Sequence, residues 1–318
     1  MGPGHAAEMS VVIVTPDRYE TIRGTIAHLQ EQTVRNRLEI VIVAPTLEEL
    51  GVDRSDFTCF NGLEIVQVGS VTSSAAARAV GVRAAHAPVV AFVEDHSYPA
   101  PGWAEILIDD HCRPWAAVGP AMANANPQSL ISWANLLIEY SPWLEATHAR
   151  VINHLPGHNS SYKRNLLLAY GPRLETILEA ETILQWDLQS RGHELFLEAA
   201  TKMYHLNMTR LRSSLSLRFH SGRLFAAARA RGWTPQRRLL YTGGAPLIPL
   251  VRLCRILSQL SRSRTPPGVM PWVLPALVAG LTVDGVGEMV GYAFGAGTAV
   301  ERSAELEFHR DKHLIKGK

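Results

Sequence analysis

Residues 88–103 read PVVAFVEDHSYPAPGW, and the course of the chain is decided there. Pro88 to Val93 is a short apolar run that ends abruptly at two carboxylates and an imidazole, Glu94-Asp95-His96. Pro99, Pro101 and Gly102 then turn the chain ahead of Trp103. A short apolar run bounded by turn residues is expected to be a strand buried on both faces. Two acids and a histidine directly after such a strand are costly to place without a partner. Hard oxygen ligands with an imidazole suit Mn²⁺ or Mg²⁺, which can bridge a diphosphate. Taken alone, the cluster reads first as an acidic loop start, since acidic residues often begin a loop.

Upstream, the same kind of strand recurs between helical patterns. Ser10 to Thr15 is a β-branched run, and Tyr19 to Gln32 then places Ile22, Ile26 and Leu29 at helical spacing. Leu38 to Ala44 and Leu63 to Val68 read as further strands, and the Ala-rich segment Ser73 to Ala85 as a helix. This alternation predicts right-handed crossovers and an α/β fold with a mostly parallel sheet flanked by helices. In open α/β sheets ligands sit at the carboxyl ends of the strands. The turn Thr15-Pro16-Asp17-Arg18 and the cluster Glu94-Asp95-His96 both follow strands, so they are expected to share one cleft.

Composition narrows the function classes. The chain has 318 residues and a formal net charge of only +2, which excludes a disordered tail and a strongly basic nucleic-acid binder. Cys59, Cys112 and Cys254 are far apart and form no metal or disulfide pattern, as suits a reducing compartment. Met1 to Met9 lacks the regions of a secretory signal. His111, His148, His154 and His193 are expected as surface or capping residues. Trp133 and Trp143 either cover a sugar face or pack the core.

From Ser10 to His205 the sequence resembles glycosyltransferase family 2, the inverting GT-A enzymes. The residues that carry the resemblance are Thr15-Pro16-Asp17-Arg18, Ala77-Arg78-Ala79-Val80-Gly81, the strand into Glu94-Asp95-His96, Pro99-Ala100-Pro101-Gly102-Trp103, and Gly157-His158-Asn159 with Lys163-Arg164. The resemblance implies a GT-A, Rossmann-like fold and transfer of a sugar from a nucleotide-diphosphate donor to an acceptor hydroxyl on a glycan, lipid or protein. It implies donor contacts from Thr15, Pro16, Asp17, Arg18, Arg78, Glu94, Asp95 and Asn159. It also implies Mn²⁺ or Mg²⁺ held by Glu94, Asp95, His96 and His205. Counting back from Arg191-Gly192 and forward to His205 puts Glu181 where the family's catalytic Asp sits, within Glu179-Ala180-Glu181. A carboxylate there would take the acceptor proton; as a residue of this chain alone, Glu181 reads as a first-turn acid favoured by the helix dipole. The sequence departs from the family at His96, which replaces the final Asp of the metal motif, at Ala79, and at Ala44, where many members carry an acid that holds the nucleobase. The Q-x-x-R-W signature of processive synthases is missing after His205, which points to single-sugar transfer.

The C-terminal third is of another kind. From Arg210 to Arg264 basic residues are dense and Asp and Glu are absent. Met270 to Ala299 then carries only Asp284 and Glu288 as charges. A basic segment leading into an apolar one suits an anionic bilayer. Trp272 to Val283 is too short to span one, so a membrane-embedded or interfacial helical hairpin is expected. The expected division is a GT-A domain over 1–209 and a helical, membrane-associated region over 210–318, at the cytoplasmic face of a membrane. Two rival readings stay open: a sugar nucleotidyltransferase, although Thr15-Pro16-Asp17-Arg18 lacks its Gly-rich loop, and a catalytically inactive homologue acting as a membrane scaffold.

Overall fold

The strands expected from the apolar runs form at nearly the expected places. The protein's structure, a computed structural model, describes residues 6–144, 146, 148–260, 270–308 and 310–315. Strands β1 (Met9–Val14), β2 (Leu38–Ala44) and β3 (Gly62–Gln67) lie parallel with β4 (Val89–Phe92), β1 pairing with both β2 and β4. Every residue of β1, β2 and β4 is buried, which is why their sequences are continuous rather than alternating. Beyond β4 the sheet changes sense. The remaining strands are β5 (Ser97–Pro99), β6 (Ala117–Asn124), β7 (Arg150–Ile152), β8 (Ser161–Lys163) and β9 (Leu195–His205). β8 runs antiparallel to both β4 and β6, and β7 antiparallel to β9. Among the described residues the sheet order is β3-β2-β1-β4-β8-β6-β9-β5, with β7 on β9. The α/β architecture is thus present, with its parallel half assembled from the first third of the chain.

The chain condenses into two units. The first comprises residues 1–122 and 146–204, the second 123–145 and 205–318. The segment 123–145 therefore lies with the C-terminal third, and β6 and β9 pass from one unit to the other at their last residues.

In the first unit, helix Tyr19–Gln30 buries Ile22, Ile26 and Leu29, the three positions its spacing predicts. Helix Ser74–Ala84 begins at Ser73, whose side chain accepts from the Ala76 amide. His111 departs from its expected surface place. It is buried, bonded at Nε2 to Ser161 Oγ (2.8 Å), and burial, with Lys163 nearby, pushes its pKa down to about 3. Its position on the inward face of helix Trp103–His111 explains this.

In the second unit, one unbroken helix, Met270–Phe294, occupies the segment where a hairpin was expected. It is long and apolar enough to cross a membrane by length and composition, yet close to half of its best window is buried within the protein. Its glycines admit helix Leu211–Arg229: a Cβ on Gly287 would lie 2.2 Å from the Phe219 carbonyl oxygen. Asp284, the charge that interrupted the apolar run in sequence, is held by Arg252, and Glu139 pairs with Arg218. Trp133 and Trp143 are core residues, Trp133 donating from Nε1 to the Pro127 carbonyl (2.9 Å) and Trp143 packing on Tyr140. Residues 261–269, with the last arginines of the basic run, lie outside the described residues.

Candidate functional site

Two carboxylate–imidazole clusters form in the first unit, joined by one tight turn. The first follows β4. Val93 donates its amide to the Val12 carbonyl (3.2 Å), and the Ser97 amide returns to the Glu94 carbonyl (3.1 Å), closing a turn. Thr25, from helix Tyr19–Gln30, donates its hydroxyl to the Ser97 carbonyl (3.1 Å) and pins that turn. Because β1 and β4 are parallel neighbours, Thr15 to Arg18 and Glu94 to His96 emerge at the same edge of the sheet.

Within the turn, His96 Nδ1 lies 2.5 Å from Asp95 Oδ1. A carboxylate oxygen accepts, so Nδ1 is the donor and the lone pair falls on Nε2. Nε2 faces Glu94 Oε1 at 3.9 Å. Glu94 Oε2 in turn accepts from Asn159 Nδ2 (2.7 Å). All four side chains are buried or nearly so. This donor set fits a divalent cation. Two ligand atoms 3.9 Å apart lie within twice a metal–ligand bond of about 2.0–2.2 Å. A carboxylate backing the histidine is the usual outer-shell arrangement. Asp95, expected among the ligands, here holds the ring of His96.

The other expected donor contacts are placed as follows. Thr15 is fully buried at the end of β1, and its hydroxyl has no hydrogen-bond partner among the described residues. Pro16 is partly buried. Asp17 Oδ1 accepts from the Arg18 amide and from Thr21 Oγ1, both at 2.7 Å, and so braces the helix start. Arg18 is exposed at the N-cap of that helix.

The second cluster centres on Glu181, the first residue of helix Glu181–Ser190. Gln185 ties this helix to the preceding loop, accepting the Leu155 amide at Oε1 (2.7 Å) and donating to Tyr162 Oη (2.9 Å). The turn Gly157–Asn159 passes so close that a Cβ on Gly157 would lie 2.4 Å from Glu181 Cβ. Arg78, from helix Ser74–Ala84, donates Nη1 to Glu181 Oε1 (2.5 Å) and also contacts His158 Nδ1. His158 Nδ1 lies 3.0 Å from the same Glu181 oxygen. Burial alone would raise the Glu181 pKa, but His158 and Arg78 hold it below the usual carboxylate range. Burial likewise opposes the imidazolium of His158, yet the charge of Glu181 lifts its pKa above the ordinary value.

Arg78, Asn159 and Glu181 were singled out from the sequence separately; the first unit brings all three onto two adjacent clusters. The role of His158 was not. It stands between Gly157 and Asn159, inside a motif already singled out, and its two neighbours drew the reading away from it. Glu179 is partly buried one turn before the helix. His205 ends β9 and is described within the second unit: its Nδ1 meets Asn207 Oδ1 (2.8 Å), and its ring packs on Tyr140 at 4.9 Å.

No family model and no curated protein sequence matches this chain. Among solved structures, S. aureus TarS 1–349 superimposes with a TM-score of 0.47 at 14% identity, over 98% of this chain and 93% of that one. The same protein in complex with UDP gives the same values. GalNAc-T7 with UDP, GalNAc and Mn²⁺ gives a TM-score of 0.47 at 14% identity, over 64% of this chain and 44% of that one. At these scores the likeness bears on neither substrate nor mechanism.

Proposed function

We propose that this chain is a GT-A glycosyltransferase that moves a sugar from a nucleotide-diphosphate donor to an acceptor hydroxyl, one residue at a time and with inversion. The observation that carries the reading is the Glu94–His96 pair: an imidazole whose Nδ1 is engaged by Asp95, presenting Nε2 beside a carboxylate at the carboxyl end of a parallel strand. Glu94 and His96 would hold Mn²⁺ or Mg²⁺. Such an ion supplies charge neutralisation for the departing nucleoside diphosphate. Asn159 orients Glu94, and Arg78 is a cation for the donor's phosphates. The Glu181–His158 pair supplies the basic centre on the acceptor side.

Chelator-treated protein, offered UDP-glucose, UDP-N-acetylglucosamine, GDP-mannose and dTDP-rhamnose in turn, should release nucleoside diphosphate from one of them only after Mn²⁺ or Mg²⁺ is restored. Full turnover in chelator would sink the metal assignment.

We further propose that the second unit rests on an anionic membrane surface on the cytoplasmic side. Helices Pro235–Gly244 and Ile248–Leu260 support this: Leu239, Leu240, Leu247, Leu250 and Val251 are exposed, with Arg237, Arg238 and Arg255 nearby and no acid in the segment. The full chain should co-sediment with phosphatidylglycerol vesicles, less with phosphatidylcholine vesicles. Changing Leu239, Leu240, Leu247 and Leu250 together to Ser should lower vesicle binding at least tenfold without altering nucleotide binding. Equal partitioning of both proteins would refute the surface assignment.

A further inference from the structure

A group that removes a proton in the transition state must present an accessible lone pair of suitable basicity. Glu181 is poorly fitted to do so itself. Its side chain is only 6% exposed, and its Oε1 already faces Arg78 and His158. His158 differs on both counts. Its side chain is 46% exposed. Since Nδ1 faces Glu181 and Arg78, the nitrogen left for a substrate is Nε2.

Resting on the glycosyl-transfer reading above, we infer that His158 is the base, and that Glu181 and Arg78 are positioning residues that set its tautomer. When Nδ1 carries the hydrogen and donates it to Glu181, Nε2 holds the lone pair. The acceptor oxygen then attacks the anomeric carbon, and its proton passes to Nε2. The bond from the anomeric carbon to the phosphate oxygen breaks, and its electron pair leaves with the nucleoside diphosphate. Glu181 stabilises the imidazolium, which afterwards releases the proton to solvent. This is the orienting logic of a base held by a buried acid.

Arg78 adds a condition. A guanidinium only donates, so whenever Arg78 occupies His158 Nδ1, that nitrogen must bear the lone pair and Nε2 the hydrogen. In that tautomer Nε2 accepts nothing. Drawing Arg78 onto the donor's phosphates frees Nδ1 to take the hydrogen and turn it to Glu181. The base then becomes competent only with the donor in place.

The charged and titratable groups around the ring are Glu181 and Arg78, with Glu94 beyond the turn. With its pKa raised, His158 stays imidazolium above pH 6.5, and the basic form accumulates as pH climbs through that raised value. Removing the charge of Glu181 removes the elevation.

The test uses the full-length chain with isotope-labelled histidine, Mg²⁺ and the donor that the panel above identifies. His158→Gln should lower turnover about 10²–10⁴-fold, with UDP or GDP affinity unchanged. The kcat/KM profile of the native chain should rise with pH to a plateau, its midpoint above 6.5. In Glu181→Gln both that midpoint and the ring titration of His158 seen by NMR should move down, and Glu181→Asp should restore most of the elevation. A flat profile from pH 5.5 to 8, with Glu181→Gln inactive and His158→Gln fully active, would overturn the proposal and return the proton to Glu181. If the native chain binds no nucleotide, the transfer reading falls and the proposal with it. Intact nucleotide binding with full turnover in His158→Gln defeats the proposal alone.

Discussion

His96 and His158 each stand beside a glutamate, yet the protein makes different groups of them. His96 is 5% exposed, its Nδ1 locked by Asp95 and its Nε2 turned to the Glu94 carboxylate. His158 is 46% exposed, and its Nδ1 is shared between an acid and a guanidinium. A buried imidazole with a settled tautomer suits the metal-ligand role proposed for His96. A half-open one whose Nδ1 has two partners suits the proton-carrying role proposed for His158. Burial and the second partner decide the role, and residue type does not.

The sharpest way to break this contrast is His96→Ala. Removing the lone pair at Nε2 should weaken Mn²⁺ binding, read by titration calorimetry, by well over the ~10–100-fold typical of outer-shell changes. His158→Ala should leave Mn²⁺ affinity unaltered; the reverse result would exchange the two roles. Asp95→Asn refines the point. If Asp95 acts by holding the ring, its loss should cost about 10–100-fold in Mn²⁺ affinity. If it is itself a ligand, the loss should equal that of His96→Ala.

The smallest effect concerns an acid whose partner is another acid. Burial and the neighbouring Glu198 push the Asp110 pKa up to about 6 from an ordinary 3.8. A folded-state carboxyl with a raised pKa holds its proton longer than the unfolded chain does. Stability therefore falls as pH rises from 3.8 towards 6, and the penalty is fully present above 6. Asp110→Asn should stabilise the protein by about 1–2 kcal/mol at pH 7.5 and hardly at all at pH 3.5. Denaturant unfolding at the two pH values checks this, and equal effects at both would show that the carboxyl is not titrating.

Much of this was legible in the chain. The buried runs at Val11 to Val14, Ile40 to Val43 and Val89 to Phe92 announce strands because parallel strands covered on both faces have no polar side to write into the sequence. Glu94 and His96 stood out because two acids and a histidine at the end of a buried strand are costly to place without a partner. The Arg78–Glu181 pair was not legible: 103 positions separate them, and nothing near either residue in the sequence names the other as its partner. The helix Met270–Phe294 was broken in the sequence reading at Asp284 because its counter-ion, Arg252, sits in another helix, and pairing of that kind leaves no local trace.

The turn Gly157–Asn159 is a ruler one residue long. His158 reaches the Glu181 cluster and Asn159 reaches Glu94, so two consecutive residues, with Cα atoms about 3.8 Å apart, enter different clusters. A substitution elsewhere can weaken either cluster, but it cannot easily change the interval between them. An insertion or deletion within these three residues can. Such a change would leave each cluster's side chains chemically intact while putting them out of phase; on the function proposed above, leaving group and proton acceptor would no longer belong to the same event.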